Sequence, residues 1–205
     1  MFGAARIAPG PDVVWRSDAA RLDGVTRTAA ERSTTGAVLV LVHFPDSLDL
    51  LGRSEVASRW GRLERETDVL GFLGGRPLGA VGLTLAAMLQ PREAGALEIP
   101  GALHVIVAER HPLRARDEAV VAAASTLGRG VGLEFHLSLE DEIFGGVKAR
   151  IGPLLERLGT PPDQPIQHAM VATAVARAQA QLAKGATGDL PASSAEEWLR
   201  INLPR

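Results

Sequence analysis

Four short apolar runs constrain this chain more than any other feature. They are AVLVLVH at 37–43, AVGLTL at 80–85, LHVIVA at 103–108 and LEFHLSL at 133–139. Each is too short for an ordinary helix, and most are rich in β-branched residues. Runs of this kind without strict alternation read as strands covered on both faces, as in a parallel sheet. Residues 12–15 are also strand-like. Helical segments lie between the runs. Ser17 or Asp18 caps one that reaches about Arg32, with Leu22 and Val25 on one face. Asp46 or Ser47 opens a second, carrying Leu48, Leu51 and Val56. Others are expected over 63–73, 114–126, 140–158 (interrupted at Gly145–Gly146) and 165–184, with a turn at Gly74, Gly75 and Pro77. Strands alternating with helices predict an α/β domain built on a mainly parallel sheet.

The length of 205 residues suits one domain of ordinary size. Residues 1–11 are Gly- and Pro-rich and are expected to be flexible, 12–184 to form the domain, and 185–205 to form a linker and a short amphipathic helix. In that tail Ser194 and Glu197 have capping-box spacing. Trp198, Leu199 and Ile201 make an apolar stripe too small to fold alone. They are expected to dock on this domain, on a second copy or on another protein.

A net charge of −2 gives no bulk positive field for nucleic acid or an anionic membrane. No apolar run is long enough to span a bilayer, and the first residues lack the apolar stretch of a signal peptide. The absence of cysteine excludes disulfides and zinc–thiolate sites. Together these features point to the cytoplasm. The basic residues are almost all Arg, with Lys only at 148 and 184, which a GC-rich genome explains.

The densest polar cluster is Glu109, Arg110, His111, Arg114 and Asp117. It follows the third apolar run, and open α/β sheets place ligand sites beyond the carboxyl ends of their strands. Two readings are open: a contact surface for nucleotide or a partner, or an ion-pair network stitching strand to helix. His43, His104 and His136 lie in or beside apolar runs and read as satisfied core residues. Glu140, Asp141 and Glu142 read as first-turn acids of a helix and not as a metal site, since consecutive helical residues do not converge. Gly128-Arg129-Gly130 reads as a turn. No metal site and no nucleophile elbow is expected.

Residues 101–142 resemble one stretch of the SecA family, the ATP-driven motors of bacterial protein export. Leu103, His104, Val105 and Ile106 are in step with the family's phrase, as are Glu109, Arg110, His111, Arg114 and Asp117, and then Phe135 and Leu137 to Asp141. Pro11 to Arg32 and Gly36 to His43 follow the family's entry into the same domain. Pro165, Ile166, His168, Met170, Val171, Ala174, Ala178 and Gln179 fit a later phrase. The resemblance spans roughly Pro11 to Leu182 and implies the second nucleotide-binding domain of SecA, with a RecA-like fold.

Four departures accompany it. No G-x-x-x-x-G-K-[ST] phosphate loop occurs. Leu89, Pro91 and Glu93 stand in a segment that is Gly-rich in the family. Val121, Ala123 and Thr126 stand where the family has motif arginines that would face the ATP phosphates. The segment from Ser47 to Glu66 is shorter than the family's, as if a strand were deleted. The resemblance with these losses implies a degenerate, stand-alone motor domain without ATPase activity or cofactor. Its expected role is a protein-binding or scaffold module related to export. Its partner would be a SecA-like or export component, or a second copy. The alternative is one half of a split ATPase, with ATP and Mg²⁺ bound together with a separately encoded first domain.

Overall fold

A computed structural model describes residues 7–75, 78–93, 101–128, 130–145, 161, 163–166 and 169–204, the side chains of 169–172 excepted. Residues 1–6, the turn at Pro77, Arg129, the stretch 146–158, His168 and the side chains of Met170 and Val171 therefore lie outside the described residues.

Six parallel strands form one sheet: β1 (Val13–Trp15), β2 (Gly36–Val42), β3 (Gly61–Arg62), β4 (Val81–Leu85), β5 (Ala102–Val107) and β6 (Val131–Ser138), in the order β1-β6-β5-β2-β4-β3. The helices among the described residues are α1 (Asp18–Ser33), α2 (Pro45–Gly52), α3 (Glu66–Gly75), α4 (Arg114–Ser125), α5 (Ala169–Gly185) and α6 (Ala195–Asn202). This is the expected α/β class, a parallel sheet flanked by helices.

The apolar runs are continuous because both faces of the sheet are covered. All seven residues of β2 are buried. Ala37, Leu39 and Leu41 point to one face, with Val105, Phe135 and residues of α3 and α4. Val38, Val40 and Val42 point to the other, with Ile106 and residues of α1 and α2. A period of two thus serves both layers, which leaves no polar face for the sequence to advertise. A third cluster joins β1 and β6 to α5 through Val14, Leu137 and Val175. Helix α1 approaches β1 closely at Gly24, where a Cβ would lie 2.1 Å from the Trp15 ring.

Several expectations are corrected. The strand thought deleted between Ser47 and Glu66 is present as β3, reduced to two exposed residues on β4. Residues 7–11 are tied down, since the Ile7 amide donates to Ser125 Oγ at 3.0 Å and the Gly10 amide to the Leu133 carbonyl at 2.8 Å. Helix α2 starts at Pro45, and neither Asp46 nor Ser47 caps it. Val56 lies beyond it and is exposed.

Residues 140–145 are not the first turn of a long helix. Glu142–Phe144 is a single 3-10 turn ending at Gly145, whose φ of +38° suits glycine. Glu140 accepts from the Asp18 amide of α1 at 2.9 Å, and Asp141 pairs with Arg21 at 2.6 Å. These acids therefore serve α1, across the sheet edge. No group of three acidic or histidine side chains among the described residues is placed to hold a metal.

Candidate functional site

The site lies at the carboxyl ends of β2 and β5. Parallel register pairs Leu41 with Val107, so the residues leaving both strands, His43 and Glu109, emerge side by side. Glu109 is buried and its carboxylate sits on the N-terminus of α2. Its Oε1 accepts from the amides of His43 (2.7 Å) and Phe44 (3.0 Å), and its Oε2 from Ser47 Oγ (2.6 Å). Pro45 has no amide hydrogen, and the Asp46 amide donates to the Ser193 carbonyl at 3.0 Å. A helix N-terminus offers unpaired donors and positive potential to an anion. Here the anion is the protein's own.

Asp117, on the first turn of α4, is 2% exposed and centres the second half of the site. Its Oδ1 accepts from His43 Nε2 (3.0 Å) and the His111 amide (3.1 Å). Its Oδ2 accepts from Arg110 Nη1 (3.2 Å) and Gln179 Nε2 (2.6 Å). Burial pulls this carboxyl up, but the His43 hydrogen bond and the charges around it outweigh burial and hold it below the usual range. Arg110 also pairs with Asp12, and its guanidinium lies 3.6 Å from the centre of the Phe135 ring.

His111 is packed between aromatic groups: stacked on Phe44, and edge-on to His43 and to Trp198, whose ring centre is 5.4 Å away. Its Nδ1 accepts from the Leu113 amide at 3.0 Å, so the neutral ring carries its proton on Nε2. Burial, with His43 adding, pushes its pKa down to about 4.

The structure thus brings together Glu109, Arg110, His111 and Asp117 and leaves Arg114 outside, exposed and paired with Glu118 at 2.9 Å. Four participants were missing from the sequence reading as site residues: Asp12, His43, Ser47 and Gln179. His43 is a satisfied core residue, as expected, but it also joins the two carboxylates. A signal was available for it, because a polar residue just past a buried parallel strand emerges at the sheet's ligand edge. His104 is half-buried and meets Thr35 Oγ1 at 3.2 Å. His136 is fully buried and accepts from Trp15 Nε1 at 3.1 Å through Nδ1, while its Nε2 has no hydrogen-bond partner among the described residues.

The tail covers this edge. Trp198 is 1% exposed and lies against His111, and its Nε1 donates to Asp189 at 2.9 Å. Asp189 in turn accepts from Arg116 Nε on α4 at 2.7 Å. The other buried residue of α6 is Asn202, one turn on, whereas Leu199 and Ile201 are only half-buried. The stripe read from the sequence is therefore corrected to Trp198 and Asn202. Ser194 Oγ accepts from the Glu197 amide at 3.1 Å, but Glu197 reaches back to the Ser193 amide at 2.8 Å and not to that of Ser194, so the capping box is half-formed. The expected linker is bonded as well: Asn202 holds Leu190 through both its amide and its carbonyl, and Thr187 through the Asn202 carbonyl. A crevice of about 420 Å³ remains between the tail, Phe44, Leu89 and Val120. No helix among the described residues is long and apolar enough to cross a membrane.

No family model matches the chain. Among solved structures, the C-terminal part of the Fun30 ATPase domain has a TM-score of 0.43 and 12% identity, over 80% of this chain and 54% of that one. Curated relatives are protein translocase subunits SecA. That of Caldicellulosiruptor saccharolyticus is 30% identical over 188 residues, and that of Desulfotalea psychrophila 27% identical over 185 residues. Each alignment covers 82% of this chain and 21% of the relative. SecA 1 of Thermobifida fusca is 39% identical over 85 residues, 40% of this chain and 9% of the relative. The chain spans about a fifth of the length of the curated relatives that it matches most fully. The chain carries a SecA-related domain.

Proposed function

We propose that this SecA-related domain does not turn over ATP and acts in the cytoplasm as a protein-binding module connected with protein export. The observation that carries this reading is the apolar face of α4. Val121 and Ala123, which replace motif arginines of the resembling family, are buried among apolar residues and supply no cation. Phosphoryl transfer depends on positioning and on positive charge around the phosphates, and this face has little of either to spare. The relationship to SecA, a protein translocase subunit, supports export as the process served.

The test is calorimetry of the purified chain with ATP and Mg²⁺, beside a phosphate-release assay. The expected result is no heat of binding and no release above buffer. Tight Mg²⁺-dependent binding, or turnover on adding a separate chain with a phosphate loop, overturns the proposal in favour of half of a split ATPase.

A further inference from the structure

A crevice of about 420 Å³ stays open beside the docked tail, within the ~300–1,000 Å³ range of small-molecule pockets. The tail supplies one wall through Pro191 and Trp198, and the domain supplies the others through Phe44, Leu89 and Val120. Leu89 and Pro91 put apolar side chains into a segment that is Gly-rich in the resembling family, and both line the crevice. Within these mostly apolar walls stands one unpaired donor. His111 is 6% exposed and its ring lines the crevice. Its Nδ1 is taken by the Leu113 amide, so Nε2 carries the proton. That N–H makes no hydrogen bond among the described residues, yet it is not sealed off as Arg110 Nε and His136 Nε2 are. Its opening is the crevice. Buried polar groups are normally paired, so an unpaired donor at a cavity wall is a place for an acceptor to arrive.

The charges around the crevice decide what kind of acceptor fits. Arg116, its one cation among the described residues, is paired with Asp189. The carboxylates of Glu109 and Asp117 accept from the backbone amides of three lining residues, His43, Phe44 and His111. An anion would enter against these acids with no free cation to offset them. We infer that the crevice is a binding site for a small uncharged molecule with a flat apolar body and a carbonyl oxygen. The body lies against Phe44, Leu89 and Trp198, and the carbonyl accepts from His111 Nε2. The tail stays docked and no existing pair is opened. Because the tail forms one wall, the occupant touches tail and domain together and holds them in this arrangement. A small-molecule site of this kind goes beyond the protein-binding reading and does not rest on it.

PRODAN, a neutral propionyl-naphthalene dye, has this chemistry, and its emission moves to the blue when it leaves water. Titrated into the full-length chain, it should bind saturably at a single site. Ala119 lines the crevice from an exposed position on α4, so Ala119→Phe fills the space without crowding the core. That variant should lose saturable binding. His111→Asn keeps an acceptor for the Leu113 amide and removes the Nε2 donor. Its affinity for the dye should fall about three- to ten-fold, the effect of one lost hydrogen bond. Circular dichroism checks the fold of each variant, and if His111→Asn is unfolded, Ala119→Phe decides alone. Failure of wild type to bind the dye saturably, or unchanged affinity in a folded variant, overturns the inference and leaves the proposed function standing. Excess ATP should leave the dye bound. Displacement by ATP would overturn the uncharged class, and with it the absence of nucleotide binding proposed above.

Discussion

Two buried aspartates at the carboxyl edge of the sheet face opposite outcomes. Asp117, beneath β2 and β5, accepts from four donors supplied by β2's exit, β5's exit, α4's own approach and α5. Asp141, beyond β6, pairs with Arg21 at 2.6 Å and accepts from the Ser138 amide at 2.8 Å. Burial pushes both carboxyls up. At Asp117 the donors win, and at Asp141 burial wins and lifts the pKa to about 7. Among the described residues Arg21 Nε beside Asp141 has no hydrogen-bond partner, and neither has Arg110 Nε beside Asp117, so an unused guanidinium donor does not separate the two sites. Depth alone does not decide whether a buried acid stays charged. The number of donors aimed at it does.

Breaking the better-satisfied centre should cost most. Asp117→Ala strands His43, Arg110 and Gln179 in the interior, and removing one partner of a buried charged network typically costs about 3–5 kcal/mol. Asp141→Asn keeps an acceptor for the Ser138 amide and leaves Arg21 its contact with Asp18, so about 1 kcal/mol is expected. Urea denaturation of both variants at pH 7.5 measures the pair. Equal losses would show that donor count does not distinguish the two sites.

Removing residues 187–205 should come next. The tail's docking rests chiefly on Trp198, and fully burying such a ring stabilises by about 3 kcal/mol before ordering costs. For a chain of this size that lowers the melting temperature on the order of 5–10 °C. Calorimetric scans of the full and shortened proteins test it. An unchanged melting temperature would mean that the tail contributes nothing to the Asp117 side of the edge.

The same contrast explains what the sequence could reveal. The continuous runs of β2, β4, β5 and β6 were legible because a strand buried on both faces has a composition that no surface segment shares. Strand β3 was not legible, because two exposed residues carry no pattern. Glu109, Arg110, His111 and Asp117 were legible as a cluster because they are neighbours in sequence. Asp12, His43 and Gln179 reach the same centre from 98, 74 and 62 residues away. Arg114 shares the sequence cluster but, as the first residue of α4, turns to solvent and pairs with Glu118. In the tail, Asn202 looked like an ordinary helix end. Its role appears only when the preceding loop folds back on it.

Acidification should separate the two sides further. Burial, with Arg21 adding, pushes His136 from 6.5 down to about 4, as burial with His43 does for His111. Between those values the unfolded chain binds more protons than the folded one, so the histidines' contribution to stability falls as pH drops from 6.5 to 4. Asp141 works in the opposite sense. Its folded pKa of about 7 lies above its unfolded value of 3.8, so its contribution grows as pH falls through that window. The expected difference is that His136→Gln flattens the acid limb by about 2 kcal/mol at pH 4.5, and that Asp141→Asn steepens it. Parallel stability–pH curves for wild type and both variants would contradict these assignments.

The smallest effect should come from the member of the sequence cluster that the structure leaves outside. Arg114 and Glu118 form an exposed pair one helical turn apart, with side chains 65% and 48% accessible. Such pairs gain little Coulomb energy in water and lose side-chain freedom, so Arg114→Ala should change stability by less than about 0.5 kcal/mol. The change should also vanish in ~1 M salt, where the screening length falls to about 3 Å. Asp117→Ala should keep most of its cost under the same salt, because its partners are shielded from solvent. Urea denaturation of both variants in low and high salt makes the comparison. A large, salt-insensitive loss at Arg114 would place it in the Asp117 network after all. If instead Asp117→Ala recovered in salt, the network would have to be more open to water than its burial implies.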